Sequence, residues 1–131
     1  MGYGRYGHVG PSEYILAASA ARTANPTLAP AAFDNDPGQC GVVVVVNITS
    51  AGTGSINCFV EGYDPASAAY FTILDSGALT TNQTKVLTVY PHVTDAANSK
   101  AGQALTKRWR VRINHNNANS ITYSVGAVLL P

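Results

Sequence analysis

A chain of 131 residues with 46% apolar and only 11% charged side chains can bury the core of one domain, and it is too poor in charge for a disordered segment. Its formal charge of +1 excludes a global attraction to nucleic acid or anionic lipid, and no run reaches the roughly 18 apolar residues of a membrane helix. Much of the surface must therefore be Ser, Thr, Asn, Gly and Ala, which shed water at little cost when packed against a neighbour.

Residues 1–12 contain Gly2, Gly4, Gly7 and Gly10 and have no periodicity, which predicts a flexible N-terminal arm. Tyr3, Arg5, Tyr6 and His8 are large adhesive side chains on that arm, suited to ordering against a neighbouring subunit. The remainder, 13–131, reads as a single domain. Residues 14–20 predict a first strand. Ala18-Ser19-Ala20 has the small-residue look of a signal-peptidase site, but the apolar stretch before it is short and Glu13 stands where a positive region should end, so a cleaved leader is not expected. Residues 23–39 hold Pro26, Pro30 and Pro37 with Asp34-Asn35-Asp36, which predicts a long Pro-rich loop.

The β-branched run at 41–49 predicts a strand buried on both faces. Residues 51–54 would turn it into a hairpin with the alternating segment 55–63, where Ile56, Cys58 and Val60 face one way and Asn57, Phe59, Glu61 and Tyr63 the other. In that hairpin Cys40 and Cys58 would lie roughly 23 Å apart at about 3.3 Å per residue, too far for a disulfide, so both are expected as reduced, buried thiols. Asp64-Pro65-Ala66-Ser67 predicts a turn before a strand at 69–75. Another strand is expected at 85–90, ended by Pro91, and 94–105 reads as a loop with one helical turn.

Residues 107–114 alternate cleanly, Trp109, Val111 and Ile113 against Arg108, Arg110 and Arg112. After the Asn-rich turn at 115–119, residues 120–129 place Ile121, Tyr123, Val125, Ala127 and Leu129 on one face. These segments predict an all-β fold, an antiparallel β-sandwich of about seven strands, Ig-like or jelly-roll in type.

Residue types for catalysis are sparse. His8, His92 and His115 lack ligand-spaced partners, and neither cysteine sits in a Cys-x-x-Cys pair, so no metal or cofactor is expected. Asp34-Asn35-Asp36 opens like a calcium loop without the ligands that should follow. Glu61 and Asp64 are the nearest approach to a glycosidase pair, yet Asp64 is better explained by its Pro turn. Asn47-Ile-Thr49 and Asn82-Gln-Thr84 match glycosylation sequons, the first discounted because its strand is expected to be buried.

The Arg108, Arg110, Arg112 row is the most specific feature. Like charges about 7 Å apart on one face repel unless solvated or paired. Partial neutralisation by Glu61 across the sheet is one reading; a stripe that docks carboxylates of a partner protein is the other.

The segments Val60-Glu-Gly-Tyr-Asp-Pro-Ala-Ser67, Tyr70-Phe-Thr-Ile-Leu74, Lys107-Arg-Trp-Arg-Val-Arg-Ile113 and Ser120-Ile-Thr-Tyr-Ser-Val-Gly-Ala127 together resemble small virion structural proteins of tailed bacteriophages. The resemblance covers about residues 42–130 and leaves the arm and the Pro-rich loop outside. It implies a non-enzymatic head decoration or cement protein, assembled in the host cytoplasm, sitting on the outer capsid surface as a homotrimer and bracing the major capsid protein. A tail or baseplate protein is the alternative, and a carbohydrate-binding module using Tyr63, Tyr70 or Tyr90 is a further one. Nucleic acid and membrane are not expected partners.

Overall fold

Two-residue alternation of apolar and polar side chains drives nearly every ordered segment into strands. The computed structural model describes residues 13–28, 33–34 and 39–131. The described strands are β1 (Glu13–Arg22), β2 (Phe33–Asp34), β3 (Gly41–Ser50), β4 (Ile56–Asp64), β5 (Ala69–Asp75), β6 (Gln83–Val89), β7 (Lys100–Ala101), β8 (Arg108–His115) and β9 (Ile121–Leu130). Seven are long, as the pattern predicts; β2 and β7 are two-residue additions.

The strands form two sheets, ordered β1-β9-β3-β6-β7 and β2-β8-β4-β5. Every pairing is antiparallel except that of β7 on β6. The pairs β1·β9, β2·β8, β3·β6 and β4·β5 are nested, so the chain is one long ribbon doubled back at the β4–β5 turn and rolled until β9 meets β3 and β8 meets β4. With β7 set aside, this is the two-Greek-key jelly roll. An Ig-like sandwich puts its last strand in the sheet opposite the first two long strands, whereas here β9 lies between β1 and β3.

The core fills the space between the sheets. Val42, Val44 and Val46 from one sheet meet Ile56, Val60 and Trp109 from the other, all with no measurable exposure. Burying each such side chain is worth about 1.5–3 kcal/mol, which outweighs local turn preference and decides which strands pair. Inward positions on β4, β8 and β9 are those the alternation predicts: Cys58, Val111 and Ile113, and Tyr123, Val125 and Ala127 are buried.

Four local expectations are corrected. β3 and β4 do not form a hairpin; they lie in different sheets, because the inward valines of β3 bury fully only when β3 sits between β6 and β9. β3 is not buried on both faces, since Val43 and Val45 are half-buried and Asn47 is exposed on the solvent side of the sandwich. Its burial therefore does not discount the Asn47 sequon; Asn47 Oδ1 accepts a 3.1 Å hydrogen bond from Thr84 Oγ1. Residues 94–105 contain no helical turn; Lys100–Ala101 instead joins β6 as β7. Both cysteines are free, but only Cys58 is buried, and its in-sheet partner is Ile113 on β8 rather than a residue of β3.

The Asp64–Pro65 turn forms as the sequence predicts. Asp64 Oδ1 accepts from Ala66 N at 3.0 Å, and Ser67 Oγ donates to Asp64 Oδ2 at 2.8 Å. These bonds hold the Asp64 carboxyl below its ordinary range, the one from Ser67 contributing most. The turn closes through Ala68 at φ 56°, a left-handed conformation that a side chain with a Cβ resists.

Candidate functional site

The two outward faces of the sandwich are dressed differently. On the β8-β4-β5 sheet, Arg108, Arg110 and Arg112 project from β8 beside Phe59, Glu61 and Tyr63 of β4, with Glu61 opposite Arg110 and Phe59 opposite Arg112. Glu61 is 4% exposed. Its carboxylate accepts from Arg110 Nε at 2.6 Å and from Arg112 Nε at 3.1 Å, so one buried acid holds two half-exposed bases in a fixed spacing.

Aromatic rings complete the holding. The guanidinium carbon of Arg108 lies 4.6 Å from the Tyr63 ring centre, that of Arg110 4.0 Å from Tyr70, and that of Arg112 4.1 Å from Phe59. Each arginine thus stacks on a ring, a contact worth about 0.5–1 kcal/mol when exposed and more when desolvated. Tyr63 and Tyr70 also meet edge to face at 5.0 Å. With guanidinium groups over their rings, Tyr63 and Tyr70 are poorly disposed as stacking platforms for a sugar. Tyr90 packs on His92 at 5.3 Å and donates its hydroxyl to Pro131 O at 3.1 Å.

The reading in which Glu61 partly neutralises the arginine row is thus realised: Glu61 pairs with Arg110 and Arg112, and two guanidinium charges against one carboxylate leave a net positive pair. Tyr3, Arg5, Tyr6 and His8 lie outside the described residues, as do Asn35 and Asp36 of the calcium-like run. Among the described residues no three His, Cys, Asp or Glu side chains gather as a metal site requires.

The outward face of the other sheet is almost free of charge. Ile15 on β1, Gly126 on β9, Val45 on β3 and Val86 on β6 form one row across four strands, by register and by two-residue alternation. Ile15 is 79% exposed and Val86 45%. The adjacent row runs Glu13, Val128, Val43, Thr88 and Lys100, so its two charges stand at opposite ends. Sequence reasoning missed this face because it treated Val42–Val46 as doubly buried; correct sheet membership turns half of that run outward.

Arg22 is the second feature the sequence did not disclose. β1 gains one residue on β9 between Ile15 and Ala17 and another between Ala17 and Ala20. The first bulge lets the consecutive Leu16 and Ala17 both be buried. The second falls at Ala18-Ser19-Ala20, the stretch that looks like a processing site. There Arg22 donates to Ala18 O at 2.6 Å, Ala20 O at 3.3 Å and Tyr123 O at 2.8 Å, with its guanidinium 4.9 Å above the Tyr123 ring. Next to it His115 Nε2 meets the Tyr123 hydroxyl at 2.8 Å, while buried His115 Nδ1 has no partner. Burial and, secondarily, the Arg22 charge hold His115 below the ordinary histidine range. Burial pushes the Tyr123 hydroxyl up to about 12.

No protein-family model matches the chain, and no curated protein matches it either.

Proposed function

We propose that this chain is a capsid decoration protein of a tailed bacteriophage, binding the outer surface of the head shell as a homotrimer and bracing neighbouring major capsid subunits. The observation that supports this best is the charge-poor apolar row Ile15–Gly126–Val45–Val86 across the β1-β9-β3-β6 sheet. A face of this kind loses little hydration when covered, and exposed apolar patches mark interaction surfaces. The jelly roll is a fold used in viral capsids among other settings, so it agrees with the reading without carrying it.

The test is reconstitution on phage heads that lack the protein. The wild-type chain should co-sediment with heads. Ile15→Lys with Val86→Lys should cost no more than about 0.5 kcal/mol of stability per site, yet abolish occupancy. Deleting residues 1–12 should weaken occupancy. Imaging a labelled copy decides between head and tail: label confined to the tail sinks the decoration role, and absence from the particle sinks the virion reading.

A further inference from the structure

We propose that Arg110 and Arg112 form a docking site for a single carboxylate supplied by an acidic segment of a partner protein, with Glu61 as the positioning residue. A guanidinium has five N–H donors, and each arginine gives only its Nε to Glu61. Among the described residues no Nη of either arginine has a hydrogen-bond partner. The shared carboxylate and the rings of Tyr70 and Phe59 fix both groups before any ligand arrives. Preorganisation of this kind removes the ordering cost that weakens most surface ion pairs.

Charge and fork geometry point to the same ligand. Two guanidinium charges less the Glu61 charge leave one positive charge, which a single carboxylate neutralises. A phosphate dianion would overshoot it beside the Glu61 carboxylate. Guanidinium Nη pairs match carboxylate oxygens in a planar fork. The inference rests on the decoration reading only for which protein supplies the acid.

The experiment uses the purified full chain at about 0.15 M salt, where long-range attraction is screened. Penta-glutamate peptide and inorganic phosphate are titrated separately while the arginine side-chain N–H signals are followed by NMR. The peptide is expected to bind saturably and shift the Arg110 and Arg112 Nε–H signals. Arg110→Lys with Arg112→Lys keeps the charge, loses the fork, and should weaken the peptide by about tenfold. Arg112→Gln leaves Arg110 on Glu61 and is a second probe should the double variant fail to fold; it should weaken binding by about fivefold. Arg108→Lys should change it by less than about twofold. Absence of saturable peptide binding, equal affinity in the fork variants, or phosphate binding at least as tightly as peptide would each overturn the proposal. None of these results depends on capsid occupancy, so either idea can fail alone.

Discussion

Glu61 and Arg110 face each other across β4 and β8 with the carboxylate buried and the guanidinium about a third exposed, joined at 2.6 Å. Removing the two partners therefore has unequal consequences. Glu61→Ala leaves two arginines that water can solvate, and should cost about 1–2 kcal/mol. Arg110→Ala with Arg112→Ala strands a buried carboxylate and should cost about 3 kcal/mol or more. Urea denaturation of both variants checks the order; equal costs would mean that Glu61 is hydrated. Charge reversal at Arg110 is accordingly a poor probe of docking, since a second carboxylate against Glu61 would disturb the fold itself.

Arg22 supplies donors where the β1 bulges interrupt the ladder. Arg22→Ala should cost about 2 kcal/mol, in line with hydrogen bonds from a charged group to carbonyls. It should also speed amide exchange in β1 more than in β3. Uniform acceleration in every strand would show that Arg22 supports the whole sandwich rather than its edge.

His115 makes stability depend on pH in a defined direction. The folded chain holds its pKa below the ordinary 6.5, so the unfolded chain takes up the extra proton first as pH falls. This contribution is complete above about pH 6.5 and is lost progressively as pH drops through the folded-state value. Melting temperatures from about pH 7.5 to about pH 5 should fall for the wild type and fall less steeply for His115→Gln. Parallel curves would remove His115 as the cause.

Ala68 and Gly41 make opposite backbone predictions. Ala68→Gly relieves a left-handed alanine, and after the entropy of a freer unfolded chain should still stabilise by about 0.5 kcal/mol. Gly41→Ala would place a Cβ 2.5 Å from both Val89 O and Tyr90 Cδ1, and should cost about 1–3 kcal/mol because the backbone oxygen cannot swing away. Thermal melts of the two variants should move in opposite directions.

Alternation made the inward faces legible: the phases of β4, β8 and β9 can be read directly, because a strand with one buried face must alternate. Pairing was not legible in the same way. The glycines at 52 and 54 look like a local hairpin turn, yet a turn constrains only its own backbone, while the choice of neighbour for β3 depends on valines burying against strands far along the chain. A Cβ on Gly54 would lie 2.9 Å from Ile121 Cβ, so that glycine also serves a close approach to β9 that no local pattern reveals. Arg22 stayed hidden for a related reason: its role depends on bulges with no mark in the sequence beyond a run of small residues.

The nested ribbon also dictates a schedule. Among the described strands, β4 and β5 are the only sequence neighbours that pair as an antiparallel hairpin, so their union closes the shortest loop. Each further ring, β3 with β6 and finally β1 with β9, must bring together stretches that lie farther apart, at rising entropic cost. The row from Ile15 to Val86 joins the β3–β6 ring to the last closure, β1 with β9, and so exists as a continuous surface only once the roll is complete. An unfinished chain cannot present it, and a partner that grips that row selects for finished molecules.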